Sequence, residues 1–192
     1  MRTGVFGGTF DPPHVGHLLV ALDAADALAL DRLLWIPAAT QPFKADDPMS
    51  DPAHRLAMTA LLTDADARFV TDAVEIGRGG LSYTVDTLRT LEARDPGTAW
   101  VLCVGADAFR GFQRWREPRE IARLATVAVL ARAGTGADPA ALAAVPGATE
   151  VAVRRVDVSS TEVRARLRAG RSVRGFVTEP VAAYIAAHGL YR

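Results

Sequence analysis

The chain has 192 residues, 49% of them hydrophobic and 23% charged, enough to bury roughly 70% of the surface it exposes when unfolded without disulfide or metal support. Such a composition excludes a mainly disordered, collagen-like or low-complexity protein. Acidic and basic residues balance at 22 each, which argues against a general nucleic-acid binder and leaves open a small anionic ligand held in a local pocket.

Arg2-Thr3-Gly4-Val5-Phe6 reads as a short buried strand ending in Gly7-Gly8. A helix is predicted from about Val15, with Leu18, Ala21, Leu22, Ala25 and Leu28 on one face. Leu33-Leu34-Trp35-Ile36 is the next strand, stopped by Pro37; Ala53 to Leu62 is helical, and Arg68-Phe69-Val70 forms a short strand. Val85, Leu88 and Leu91 mark a further helix. Trp100 to Val104 is the clearest strand and contains the single cysteine, Cys103, which reads as a buried small hydrophobe. Thr126 to Leu130 is another strand. The stretch from Ala133 to Gly147, rich in Gly and Pro, reads as a surface excursion too short to divide two domains, so residues 1–192 are expected to form a single domain. Val151 to Val153 is a last short strand, and Thr161 to Leu167 and Val181 to Ala187 are closing helices, the second stopped at His188-Gly189.

Strand–helix alternation with continuously apolar strands predicts an α/β fold: a doubly wound, Rossmann-like, mostly parallel sheet with helices on both faces. In such sheets ligands bind beyond the carboxyl ends of the strands. The N-terminus reaches glycines before a signal-peptide core builds up, and no stretch approaches the ~18 uninterrupted apolar residues of a membrane span. The expectation is therefore a cytoplasmic protein with no membrane association.

After the first strand comes Gly7-Gly8-Thr9-Phe10-Asp11-Pro12-Pro13-His14-Val15-Gly16-His17. The two glycines let backbone approach a ligand closely, and the helix N-terminus that follows has free N–H groups and partial positive charge. His14 and His17, three apart, can face the same side of that helix start, with Gly16 leaving room between them for a bulky group. A polyphosphate suits this arrangement; a tight turn with two half-exposed histidines is the plain alternative. Zinc fits poorly, since the i,i+4 pairing and a cysteine pair are missing, and neither the P-loop nor the G-x-G-x-x-G pattern occurs. Pro37-Ala38-Ala39-Thr40-Gln41-Pro42-Phe43-Lys44 is a proline-stiffened loop ending in the chain's only lysine. Among 21 arginines, that one ammonium suggests a required compact point charge, with a chance surface lysine as the lesser alternative. Ser159-Ser160-Thr161-Glu162-Val163-Arg164 has capping-box spacing between Ser159 and Glu162, and its helix N-terminus could also hold phosphates with Arg164 reaching back. Asp107 follows the strongest strand, where a carboxylate can bond a ribose hydroxyl. Trp115, among polar neighbours, offers a platform for a flat heteroaromatic ring, or is an ordinary core aromatic.

Taken together, Gly-Gly-Thr-Phe-Asp-Pro-x-His-x-Gly-His near the N-terminus and Ser-Ser-Thr-x-Val-Arg near the C-terminus resemble the nucleotidyltransferase superfamily. The Pro37-to-Lys44 loop, Ser82-Tyr83-Thr84-Val85-Asp86-Thr87-Leu88, Gly105-Ala106-Asp107 and Phe112-Gln113-Arg114-Trp115 are similar to segments of its bacterial nicotinate-nucleotide adenylyltransferases. The resemblance spans nearly the whole chain. It implies that ATP and nicotinate mononucleotide react to deamido-NAD and pyrophosphate, with direct in-line attack of the acceptor phosphate on the ATP α-phosphate. It assigns catalysis to His14, His17, Lys44 and Arg164, and ATP binding to Gly7, Gly8, Thr9, Phe10, Gly105, Asp107, Ser159, Ser160 and Thr161. Tyr83, Thr84 and Trp115 would bind the acceptor. Mg2+ would arrive with ATP, with no metal held by protein ligands alone. The family often has His immediately before the loop lysine; Phe43 stands here, so any contact of that His does not carry over. Another adenylyltransferase of the superfamily, such as one acting on phosphopantetheine, and a non-catalytic nucleotide-binding module are the alternatives. A homo-oligomer is left open.

Overall fold

The computed structural model describes residues 1–42, 49–132 and 136–192. In chain order these form β1 (Arg2–Gly8), α1 (Val15–Ala27), β2 (Arg32–Pro37), α2 (Pro52–Thr63), β3 (Phe69–Thr71), α3 (Val74–Arg78), α4 (Thr84–Arg94), β4 (Ala99–Gly105) and α5 (Ala106–Phe109). A 3-10 turn, Phe112–Arg114, leads to α6 (Pro118–Leu124), β5 (Thr126–Arg132), α7 (Pro139–Ala143), β6 (Thr149–Val153), α8 (Ser160–Arg168) and α9 (Glu179–Ala187). The six strands make one sheet in the order β3-β2-β1-β4-β5-β6, and every pairing is parallel. This is the doubly wound order, with the winding reversing between β1 and β4.

The continuously apolar strands arise because both faces of the sheet are covered. Successive residues feed opposite cores. Leu33 and Trp35 of β2, with Val101 and Cys103 of β4, pack beneath α1, α2, α8 and α9 through Ala21, Met58, Leu62, Val163, Val181 and Ile185. Leu34 and Ile36, with Trp100, Leu102 and Val104, pack beneath α4 and α6 through Leu88, Leu91 and Ile121. Burial pushes the Cys103 thiol up to about 12, which leaves it inert at neutral pH. No helix among the described residues is long and apolar enough to cross a membrane.

Three local differences from the sequence reading have physical causes. β1 runs on through Gly7 and Gly8 because they continue the ladder opposite Ile36 and Pro37 of β2. α1 buries Ala21, Ala24 and Ala25, while Leu18 and Leu22 are only partly covered, because small side chains set the helix close to the sheet. Within the Ala133–Gly147 stretch, residues 133–135 lie outside the described ones; the rest carries α7, which buries no residue, and is pinned by buried Val145. It is therefore the crossover from β5 to β6 rather than a bare loop.

Candidate active site

Past Gly8 the chain turns into a loop whose residues face in two directions. Phe10 has a positive φ of 52° and is buried, its ring packed on Phe6, His17 and Trp35 at centroid distances of 5.8, 5.1 and 5.4 Å. A Cβ on Gly8 would stand 2.8 Å from that ring, so Gly8 is the residue that lets Phe10 turn inward. The Phe10 side chain thus serves the core. Gly7 is exposed at the strand end.

His14 is the N-cap of α1, and the two histidines cap the helix reciprocally. The His17 N–H donates to His14 Nδ1 at 3.3 Å, and the His14 N–H donates to His17 Nδ1 at 3.2 Å. The rings stack with centroids 3.7 Å apart. Because each Nδ1 accepts, each neutral ring carries its proton on Nε2. Burial, then the positive charge of Arg132, lowers the His14 pKa to about 4; burial, then His14 itself, holds His17 well below its usual value. Both are neutral at pH 7 and present N–H donors. Gly16 also lets the His14 ring pack close to the helix: a Cβ there would be 3.0 Å from that ring, while Gly16 itself lines the cavity described below.

Facing α1 is the N-terminus of α8. Ser159 caps it, accepting from the Glu162 N–H at 3.1 Å, which is the first half of the expected capping box. The Ser160 hydroxyl donates to the Pro12 carbonyl at 2.9 Å, and Arg164 Nη1 donates to the Asp11 carbonyl at 2.6 Å. α8 is thereby locked to the loop after β1. Between the two helix ends lies a cavity of about 490 Å³ at the carboxyl ends of β1, β4 and β5. Thr9, His14, His17, Gly105, Ser159, Ser160, Thr161 and Arg164 all line it, so the structure brings eight of the sequence-named residues together at the point where the winding reverses. A second cavity, about 510 Å³, lies against α6 and is lined by Phe112, Pro118, Arg119, Ala122, Val145 and Pro146. It contains none of those residues and no strand end.

The acceptor candidates are placed apart from this cavity but close to one another. Thr84 opens α4 and Tyr83 is its N-cap. Ser82 accepts from the Ala39 N–H at 2.9 Å, tying this segment to the end of β2. Trp115 is half-buried against Phe112 at 5.3 Å, and its neighbour Arg116 sits 4.9 Å over the Tyr83 ring and bonds Asp86 at 3.3 Å. Asp107 is exposed in the first turn of α5 and pairs with Arg110 at 3.1 Å. Lys44 and Phe43 lie outside the described residues.

Four residues escaped the sequence reading. Arg132 lines the cavity at the end of β5; a strand ending at Leu130 stops two residues short of it. Arg55 of α2 is fully buried and donates to the carbonyls of Thr9, Ala38, Ala39 and Ser50, joining the loops after β1 and β2. Nothing in the helical pattern around Arg55 marks it. Asp11 stood in the quoted motif without a role, and Tyr191 is its partner from the far end of the chain.

Polar groups at the switch point of a doubly wound sheet, two helix N-termini and two cavity-lining arginines define a nucleotide-binding class of site. A cytidylyltransferase-like family model matches residues 5–166. Curated relatives carry the name "Probable nicotinate-nucleotide adenylyltransferase". One from Gemmatimonas aurantiaca is 47% identical, covering all of this chain and 93% of its own length; one from Thermus thermophilus is 44% identical, covering all of both. The chain therefore belongs to the bacterial nicotinate-nucleotide adenylyltransferase family, within the cytidylyltransferase-like nucleotidyltransferases. The solved structure of Plasmodium falciparum nicotinic acid mononucleotide adenylyltransferase complexed with NaAD has the same fold, with a TM-score of 0.81 at 17% identity over 99% of this chain and 97% of that one.

Proposed function

We propose that this protein transfers the AMP moiety of ATP to nicotinate mononucleotide, forming deamido-NAD and releasing pyrophosphate. The observation that carries the reading is the His14–His17 pair: two neutral imidazoles, locked by mutual capping with the proton on Nε2, at a helix N-terminus and lining one cavity with Arg164. Membership of the family supports nicotinate mononucleotide as the acceptor. An oxygen of the acceptor phosphate, already anionic at neutral pH, attacks the α-phosphorus. The new P–O bond forms as the bond to the α–β bridging oxygen breaks, and its electron pair leaves with pyrophosphate. No protein nucleophile or general base is needed; the protein aligns two polyanions and meets developing charge with fixed donors.

In this reading His17 donates to the α-phosphate and His14 beside it to the neighbouring phosphate. Arg164, the Thr161 end of α8 and Lys44 hold the pyrophosphate, and Arg132 adds positive charge on the same wall. Gly7, Gly8, Thr9, Phe10, Gly105, Ser159 and Ser160 offer backbone and hydroxyls to ATP, and Asp107 a carboxylate to ribose. Tyr83, Thr84 and Trp115 bind the pyridine nucleotide. In this reading Mg2+ enters as the companion of ATP, lowering the charge on its phosphates. Because the reaction consumes ATP, we place it in the cytoplasm.

Pyrophosphate release, measured with ATP and nicotinate mononucleotide, nicotinamide mononucleotide or phosphopantetheine in turn, tests the reading. Turnover is expected to be fastest with nicotinate mononucleotide. Preference for phosphopantetheine would select another adenylyltransferase, and ATP binding without turnover on any acceptor would select a non-catalytic module.

A further inference from the structure

We propose that Tyr191, beyond α9 and 180 positions from its partner, is a positioning residue for the phosphate-binding arginine Arg164, acting through Asp11. The inference rests on the functional reading above, which places Arg164 on the ATP phosphates.

Asp11 is 4% exposed and is the point where four parts of the chain meet. The Tyr191 hydroxyl donates to Asp11 Oδ1 at 2.5 Å, and the Ser50 N–H donates to Oδ2 at 3.1 Å. The Asp11 carbonyl accepts from Arg164 Nη1 at 2.6 Å. Loop β1–α1, the segment entering α2, the first turns of α8 and the residues after α9 are therefore held by one buried aspartate. An arginine that must meet phosphate with directed N–H groups needs its guanidinium plane set in advance. Arg164 sets its own plane on the Asp11 carbonyl, with Thr161 Oγ1 at 3.5 Å as the other contact. The backbone on either side of that carbonyl is held by Arg55 on the Thr9 carbonyl and Ser160 on the Pro12 carbonyl, and the Asp11 side chain is held by Tyr191 and Ser50.

The surroundings suit a structural hydroxyl rather than a reacting one. Burial first, and then the hydrogen bond to Asp11, raise the Tyr191 pKa above its usual value, so the phenol stays protonated and remains a donor. Tyr191 itself has a positive φ of 63°, a backbone state uncommon for a bulky residue. That backbone state persists only where the surroundings hold it, and here the hydroxyl is bonded to Asp11.

The test is Tyr191→Phe, which keeps the ring and deletes the donor, measured alone and in an Arg164→Ala background by ATP titration, steady-state kinetics and thermal melting. Deleting a hydrogen bond to a buried charge is expected to weaken ATP binding by about tenfold in the parent protein. The KM for nicotinate mononucleotide should stay within twofold, while the unliganded melting temperature should fall because buried Asp11 loses a donor. In the Arg164→Ala background the same substitution should weaken ATP binding by less than about twofold, since residues acting through one another are not additive. Three results overturn the proposal: unchanged ATP affinity, an equal loss in both backgrounds, or a loss shared equally by both substrates. If the unsubstituted protein binds no ATP, the functional reading falls and this proposal with it; if it binds ATP and Tyr191→Phe binds equally, only the role of Tyr191 falls.

Discussion

His14 spends its side chain on the helix it begins. Its Nδ1 accepts from the His17 N–H, the ring lies over Gly16, and burial lowers its pKa from 6.5 to about 4. The sign of the consequence follows from linkage. The unfolded chain binds a proton near pH 6.5 that the folded protein refuses until about pH 4, so the contribution of neutral His14 is fully present above pH 6.5. It is lost as pH falls through that window, and the loss reaches about 3 kcal/mol by the acid end. His14→Asn keeps an N-cap acceptor and removes the titration. Denaturant unfolding at pH 7 and pH 4.5 should therefore show a smaller acid loss for the variant than for the parent, with His17 titrating in both. Equal losses would mean that the His14 proton is not coupled to folding.

At the scale of elements, what could be read from sequence depended on length and on what the contacts required. β2, β4 and β5 are runs of apolar residues buried on both faces, and α2, α4, α8 and α9 are long enough for their apolar positions to repeat. α3, α5, α6 and α7 have at most 7 residues each, fewer than two full turns, and periodicity says nothing at that length. The cavity proposed to hold the phosphates was legible because the residues named for it lie in two contiguous segments. Arg55, Asp11 and Tyr191 were not, because each acts across a separation of up to 180 positions that no local pattern encodes. The acceptor side stands between these cases. Tyr83 and Trp115 were visible as residues, while the contact that gathers them, Arg116 over Tyr83, was not. Trp115 is half-buried, with its ring tilted on Phe112, and the proposed acceptor role has it stack on the pyridine ring. Trp115→Ala should weaken nicotinate mononucleotide binding by about 1–3 kcal/mol if ring stacking resembles base–aromatic stacking, with ATP affinity held. Calorimetric titration with each substrate separates the two, and a loss confined to ATP would remove Trp115 from the acceptor pocket.

The whole molecule is arranged around a sheet that belongs to both of its cores. β2 and β4 send alternate residues into the two clusters, so neither core can lose its packing while the sheet stays intact. The central pairings, β1 with β2 and β1 with β4, join the strands on either side of the switch point, and Asp11 and Arg55 tie the loops above them to α2, α8 and the residues after α9. A division of the chain into two independently stable parts would have to cut through this sheet. The expected behaviour is one cooperative unit: calorimetric and van't Hoff enthalpies of unfolding should agree, and circular dichroism and tryptophan fluorescence should report the same midpoint. Trp35 and Trp100 sit in opposite cores, which makes the fluorescence a probe of both. Because the proposed ATP site is built from loops at the ends of β1, β4 and β5 together with α8, ATP at a hundred times its dissociation constant should stabilise the entire transition by about 2.7 kcal/mol. Two separated transitions, or one that ATP shifts while the other stays, would show that the halves on either side of β1 and β4 fold apart and that the nucleotide site belongs to one of them.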